Sequence, residues 1–302
     1  AEPRRRRLSA VPLASFAPAK INLYLHLTGR RPDGYHLIDS LIAFADIGDR
    51  VSARAADALS LDIRGPEAAG LADAADENLV LRAARLLARH AAIAPAVALY
   101  LEKNLPVASG VGGGSSDAAA TLRVLSRLWR LAIGEEALAS LGLELGADLP
   151  VCLYGSAAWV GGIGDRIEPA AGLPLAGILL ANPRIPLPTA AVFSARRGPF
   201  GKPGRFAPMP PDAADLADVL TERRNDLTEA AIGLVPEIGA VLAELAGLPG
   251  VLLARMSGSG ATCFALFKNG AAAVCGCEIL AARRPRWWCA AGTLIAGNRG
   301  SS

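Results

Sequence analysis

Four glycines within five positions, Gly110, Gly112, Gly113 and Gly114, separate a strand-like run from a helix-like run, and this arrangement limits the possible folds more than any other feature of the chain. Glycine loses more backbone entropy on folding than any other residue, so such a cluster is kept where the chain needs φ > 0 or a close approach to another group. Upstream, Val97, Leu99 and Leu101 alternate with Ala98, Tyr100 and Glu102, and downstream a helical pattern runs from Asp117 to Leu131. Strand, glycine loop and helix together aim backbone N–H groups and the positive end of a helix dipole at one point, which makes an anion cradle suited to phosphate. The alternative is a flexible turn with Ser116 or Asp117 as a helix cap. The loop is not a P-loop, because no Lys follows its last glycine. Nor is it a dinucleotide fingerprint, because Ser115 stands where the third glycine belongs.

The remainder of the chain sets the frame around this loop. A length of 302 residues suits two domains, and the composition breaks near 169–174, which predicts domains over 15–170 and 171–302 after a disordered basic tail over 1–14. No apolar run reaches the roughly 18 residues of a membrane helix, so a soluble protein is expected, without a membrane partner. The net charge of +3 includes Arg4, Arg5, Arg6 and Arg7; without them it is −1, which excludes the electrostatic footprint of a nucleic-acid binder. Five cysteines, an odd number with no C-x-x-C pair and only three histidines beside them, argue for reduced thiols in the cytoplasm and against a disulfide framework or a zinc site. Only four of the 31 basic residues are lysines, Lys20, Lys103, Lys202 and Lys268, so each lysine is worth inspecting for a use of its compact ammonium.

From Ala19 the chain alternates as a half-buried strand that places Lys20 and Asn22 on one face, either toward solvent or toward a shared polar ligand. Further strand-like runs follow at 41–44, 51–54 and 59–64. Pro32, Asp33 and Gly34 form a turn that presents Tyr35 and His36, as a platform for a flat ring or as an ordinary rim. Asn78 and Leu79 open a helix, and a second helix is expected over 135–145. Asp148, two residues before Pro150, either caps a short helix or offers a carboxylate to a cleft. A glycine hairpin spans 159–165, a buried strand 178–181, and a short helix carries Phe193. Residues 197–211, crowded with Gly and Pro, read as a mobile loop. Helices over 213–220, 226–234 and 236–245 precede two strands, 251–256 and 262–267, joined by the small-residue loop Ser257, Gly258, Ser259, Gly260 and Ala261. A helix over 271–282 and a strand over 287–295 end the chain.

The segment Pro106, Val107, Ala108, Ser109, Gly110, Val111, Gly112, Gly113, Gly114, Ser115 and Ser116 resembles the phosphate loop of the GHMP kinase superfamily. Pro18-Ala-Lys-Ile-Asn22, Asp33-Gly-Tyr-His36, Gly146-Ala-Asp-Leu-Pro150 and Ser257-Gly-Ser-Gly-Ala261 resemble, within it, the 4-diphosphocytidyl-2-C-methyl-D-erythritol kinase family. The resemblance implies an α+β fold of two domains, an N-terminal ribosomal-S5-like domain and a C-terminal ferredoxin-like domain, with the active site in the cleft between them. It implies phosphoryl transfer from ATP with Mg²⁺ to a hydroxyl, expected to be the 2-hydroxyl, of that cytidyl substrate in the non-mevalonate route to isoprenoid precursors.

It further implies that Lys20 and Asp148 are the catalytic pair, with Lys20 holding the carboxylate and the hydroxyl in register, and that Asn22 orients the erythritol moiety. The glycine loop holds the triphosphate. Asn78, Leu79 and Lys103 surround adenine and ribose, Tyr35 and Phe193 sandwich cytosine, and His36 and Thr189 contact the substrate. Ser257, Gly258, Ser259 and Gly260 line the cleft, and Mg²⁺ rides mainly on the phosphates with Ser116 as a candidate ligand. The family often has Asn where this chain has Asp117, whose carboxylate must face away from phosphate, cap the helix or help hold Mg²⁺. Two competing readings are a mevalonate- or homoserine-type kinase, whose small acceptors offer no base to stack, and a non-catalytic nucleotide-binding regulator on the same fold.

Overall fold

The computed structural model describes residues 12–71, 78–107 and 109–295. The four arginines of the basic tail and Ala108 lie outside the described residues. The chain divides into two compact units. The first comprises Ala1–Ala17, Gly48–Asn104 and Gly114–Leu153, and the second Pro18–Ile47, Leu105–Gly113 and Tyr154–Ser302.

Two long strands run through both units: β1 (Leu13–Arg30) and β2 (His36–Ala55). β1 begins six residues before Ala19 and takes in the end of the expected tail; Pro18 sits inside it. A proline is tolerated there because β2 is the only strand paired with β1 along its length, among the described residues, so its other edge has no continuous ladder to interrupt. The strand is also buried on both faces rather than one. Lys20, Asn22 and Tyr24 are as enclosed as Ile21 and Leu23. The polar face is tolerable because its groups are bonded internally, Asn22 Nδ2 to Ser40 Oγ at 2.9 Å and Tyr24 OH to Asp39 at 2.7 Å. The runs expected at 41–44 and 51–54 are parts of the one strand β2.

In the first unit, β2 pairs antiparallel with β4 (Val97–Glu102), from Arg50 opposite Glu102 to Ala55 opposite Val97, and β3 (Ser60–Arg64) pairs parallel with β4. Helix α1 (Leu79–His90) buries Val80, Leu81, Leu86 and Leu87 and leaves Arg82, Arg85 and Arg89 outside. Its N-terminus is capped by Asn78, whose side chain accepts from the N–H of Val80 at 2.9 Å. Helix α2 (Gly113–Leu128) starts four residues before the expected Asp117, so the last two glycines and both serines form its first turn. Helices α3 (Glu135–Leu145) and α4 (Leu149–Tyr154) follow.

In the second unit, the first half of β2 pairs antiparallel with β5 (Ala158–Gly162), and β5 with β6 (Arg166–Pro169). A separate sheet is built from β7 (Gly177–Asn182), β8 (Val251–Met256), β9 (Cys263–Phe267) and β10 (Trp288–Thr293), in the order β10-β7-β9-β8. Helices α5 (Thr189–Ala195), α6 (Ala213–Thr221), α7 (Thr228–Leu234) and α8 (Glu237–Ala246) lie between β7 and β8, and α9 (Gly270–Arg283) between β9 and β10. With α5 to α8 counted as one crossover, this is the β-α-β-β-α-β order of a ferredoxin-like layer, its four strands arranged fourth, first, third, second. The run Ile178-Leu179-Leu180-Ala181 shows why β7 is central. Ile178 and Leu180 enter one hydrophobic cluster, Leu179 and Ala181 the other, as a period of two requires of a strand covered on both faces.

The segment 197–211, expected to be mobile, is fastened to β1 and β2 as a strap. Gly201 N–H donates to Leu27 O at 2.8 Å, Gly204 N–H to Asp39 Oδ2 at 2.6 Å, and Arg205 makes a bidentate pair with Glu168 at 2.7 and 2.9 Å. Its glycines serve close approach: a Cβ on Gly204 would lie 2.8 Å from the His26 ring. Arg255 on β8 is a second internal fastener, donating to the carbonyls of Leu23, Leu220 and Arg223 at 2.7, 2.8 and 2.6 Å. Burial holds its guanidinium down to about 10.

Candidate functional site

The glycine loop and the Ser257–Ala261 loop meet through main chain in the second unit. Thr262 N–H donates to Ser109 O at 3.0 Å, Lys20 N–H to Val111 O at 2.9 Å, and Ser257 Oγ–H to Gly110 O at 3.3 Å. Gly110 has φ +76°, and a Cβ there would stand 2.6 Å from Gly260 O and 2.8 Å from Gly260 N, so no other residue fits. Pro106, Ser109 and Val111 are buried at the root of the loop and Val107 is exposed. The first-turn N–H groups of α2, which no intrahelical carbonyl can satisfy, belong to Gly113, Gly114, Ser115 and Ser116.

Beside the loop, Lys20 is buried on β1, and Gly112 (φ +63°) is the residue that leaves room for it: a Cβ at Gly112 would lie 3.1 Å from Lys20 Cε. Asn22 is two residues further on the same face. Its backbone N–H donates to Ser257 Oγ at 3.1 Å and its Nδ2 to Ser40 Oγ, which itself donates to Tyr24 O at 2.5 Å. Since the Ser40 hydrogen is used on Tyr24, the amide orientation is fixed, and Asn22 Oδ1 is left buried with no hydrogen-bond partner among the described residues. A buried orphan acceptor costs about 1–3 kcal/mol, which a ligand hydroxyl would recover.

The turn at Pro32, Asp33 and Gly34 closes with Arg31 N–H to Tyr35 O at 2.8 Å and presents Tyr35 with 61% of its surface exposed. His36 opens β2, with the Phe193 ring of α5 centred 5.2 Å from its own. Burial and the nearby Arg30 and Arg196 lower its pKa from the usual 6.5, so the imidazole is neutral at pH 7. Thr189, the first residue of α5, shares a 2.8 Å hydrogen bond with Ser259, which ties this helix to the second glycine loop.

In the first unit, Lys103 is fully enclosed, and its ammonium binds Asp49 and, at 2.9 Å, Asp117. Lys103, expected beside adenine and ribose, has both carboxylates as partners, as an ammonium removed from water requires. Asp117 lies in α2 rather than at its cap, and its carboxylate takes Lys103. Burial, opposed by Lys103, pushes its pKa up from 3.8 to about 7. Asn78 and Leu79 sit at the start of α1. Ser116 is buried, its Oγ 3.5 Å from Cys152 Sγ on α4. Asp148 is exposed directly before α4, where its carbonyl accepts from Cys152 N–H at 3.3 Å. Among the described residues no three His, Cys, Asp or Glu side chains gather as a metal site.

The profile of the GHMP kinases N-terminal domain matches residues 78–156, and that of the GHMP kinases C-terminal domain matches residues 211–276. The 4-diphosphocytidyl-2-C-methyl-D-erythritol kinase of Cereibacter sphaeroides is 53% identical over 284 residues, covering 93% of this chain and 99% of the relative. The chain belongs to the 4-diphosphocytidyl-2-C-methyl-D-erythritol kinase family. A crystal structure of 4-(cytidine 5'-diphospho)-2C-methyl-D-erythritol kinase superposes with a TM-score of 0.73 at 35% identity, over 95% of this chain and all of the other. Homoserine kinase from Cytophaga hutchinsonii has the same fold, with a TM-score of 0.72 at 18% identity over 97% of each chain, a likeness of architecture alone. Membership in the kinase family does not favour the mevalonate-type and regulator readings. Sequence reasoning missed Asp39, Asp49 and Ser40 around the family motifs, since none belongs to a short pattern.

Proposed function

We propose that this chain transfers the γ-phosphoryl group of ATP to the 2-hydroxyl of 4-diphosphocytidyl-2-C-methyl-D-erythritol, in the non-mevalonate route to isoprenoid precursors, with the N-terminal kinase domain over 15–170 and the C-terminal one over 171–302. The observation that carries the reading is the near full-length 53% identity to a kinase of that name. The bond between the γ-phosphorus and the oxygen bridging to ADP breaks, a new bond forms to the substrate oxygen, and the hydroxyl proton passes to Asp148. Lys20 offsets the negative charge that gathers on the transferring group. Asn22 Oδ1 accepts from an erythritol hydroxyl, in keeping with its orphaned state. The glycine-loop N–H groups, the first turn of α2 and the Ser257–Ala261 loop bind phosphate oxygens, and Asn78 and Leu79 border the nucleoside of ATP. Mg²⁺ would be held mainly by the phosphate oxygens with the Ser116 hydroxyl at hand, hard oxygen donors that suit it, and would supply neutralisation of the phosphate charge. Tyr35 and Phe193 stack on cytosine, and His36, neutral, and Thr189 contact the substrate. The reaction takes place in the cytoplasm, in keeping with the free thiols of all five cysteines.

The direct test is ADP release with ATP, Mg²⁺ and the cytidyl substrate, run beside mevalonate and homoserine. Turnover with the cytidyl compound alone is expected; turnover with either small acceptor instead would overturn the assignment. Tyr35→Ala is expected to raise KM for the cytidyl substrate by the loss of about 1–3 kcal/mol of stacking, and an unchanged KM would remove Tyr35 from the base site. Gly112→Ala is expected to lower kcat about tenfold or more with the fold retained, since displacement of a positioned group by a fraction of an ångström weakens alignment steeply. Unaltered kcat in that variant would mean that the placement of Lys20 is unimportant.

A further inference from the structure

Arg196, just before the strap, and Phe200, on it, are two side chains that the base site has not accounted for. Arg196, at the C-terminal end of α5, turns back on its own chain, donating to Gly198 O at 2.5 Å and to Pro199 O. Its guanidinium carbon lies 4.8 Å from the centroid of the Phe200 ring, within cation–π range. The Phe200 ring in turn stands 6.1 Å from His36, edge-on at 62°, while Phe193 packs on the same imidazole at 5.2 Å and 39°. His36 is thus held by phenyl rings from two separate segments. Phe200 keeps 44% of its surface exposed, so its ring faces solvent as well as the His36 imidazole. It is also held in place, because the next residue, Gly201, donates to Leu27 O on β1.

We infer that Phe200, supported by Arg196, is a specificity-determining positioning residue: it fixes the plane of the His36 ring so that its nitrogen meets the polar edge of cytosine and discriminates against uracil. A base is read by hydrogen bonds only if the reading group cannot rotate to suit another pattern, and an imidazole packed by one ring alone keeps that freedom. A second ring, placed edge-on, removes it, and the arginine behind Phe200 keeps that ring in register. This rests on the assignment of Tyr35, His36 and Phe193 to the cytosine site.

The experiment compares Phe200→Ala, Phe200→Leu and Phe200→Tyr with the parent enzyme and with Phe193→Ala. KM and kcat are measured for the cytidyl substrate and for its uridyl analogue. Phe200→Ala and Phe200→Leu are expected to raise KM for the cytidyl substrate by about two- to tenfold, the scale of one aromatic contact. They should narrow the cytidyl-to-uridyl ratio, with kcat at saturation and KM for ATP held. Phe200→Tyr, which keeps the ring, is expected to restore both KM and the ratio. If the Ala and Leu variants keep the parental KM and ratio while Phe193→Ala raises KM, the inference fails and the base site stands. If Phe193→Ala is equally silent, the base site falls and takes the inference with it. A parallel loss of kcat, KM for ATP and thermal stability in both variants would reduce Phe200 to a structural residue.

Discussion

Asp148→Asn is expected to lower kcat by about 10²–10⁴, with kcat/KM falling in step and the fold intact. The substitution isolates chemistry from architecture. Asp148 stands directly before α4, the position of a helix cap, and a cap reading predicts nothing for activity. Asn caps a helix about as well as Asp, so the variant keeps whatever capping the carboxylate supplies and loses only the capacity to take a proton. The helix itself has other support, since Leu149, Pro150, Val151 and Cys152 are all buried. Steady-state kinetics and thermal melts on the same preparation decide the matter. Near-normal turnover would make Asp148 a structural residue, and so would a melt lowered enough to explain the loss.

Lys103→Met is expected to destabilise the fold by about 3–5 kcal/mol at pH 8, because it leaves Asp49 and Asp117 buried without their shared cation. Asp117→Asn should behave in the opposite way. The cluster holds one positive and two negative groups, and Asp117 has its pKa pushed up from 3.8 to about 7, so folding favours its protonated form. A carboxyl raised in the folded state contributes stability that is full below the unfolded value and is lost as pH rises toward about 7. Replacement by Asn removes that slope. The variant should show a flatter profile between pH 4 and 7 and at pH 8 a stability equal to or above that of the parent. Urea denaturation at pH 5.5 and pH 8 separates the two variants. A Lys103→Met protein within about 1 kcal/mol of the parent would show that the pair is not essential to the fold.

Where the sequence carried both periodicity and end signals, the fold was legible. The strand at β4 and the helix α3 fall where alternation and flanking glycines put them. The start of α2 was hidden because glycine and serine are poor helix formers, and only the surroundings of the loop make them helical. The strap misled for a related reason. Gly and Pro are abundant both in mobile loops and where main chain must approach main chain closely, and the hydrogen bonds that decide between these reach Leu27 and Asp39, far away in sequence.

The same distance hid the charged interior. Lys103 was visible as one of four lysines, but its partner Asp49 lies 54 positions away, and the carbonyl of Leu23 that Arg255 binds lies 232 positions away. The motif residues of the candidate site were visible by resemblance to the family. Their supports, Ser40 under Asn22 and Gly112 beside Lys20, emerge only from the packed structure.

The backbone bonds between the two glycine loops bear on how the protein is made. They join residues near positions 20, 110 and 260, so the surroundings of the glycine loop are among the most non-local parts of the chain. A ribosome that has released residues through Ser116 has delivered the whole glycine motif and none of the surface that Gly110 packs on. That junction closes only after Thr262 emerges, so a fragment ending earlier carries the glycine motif without the backbone contacts that shape it.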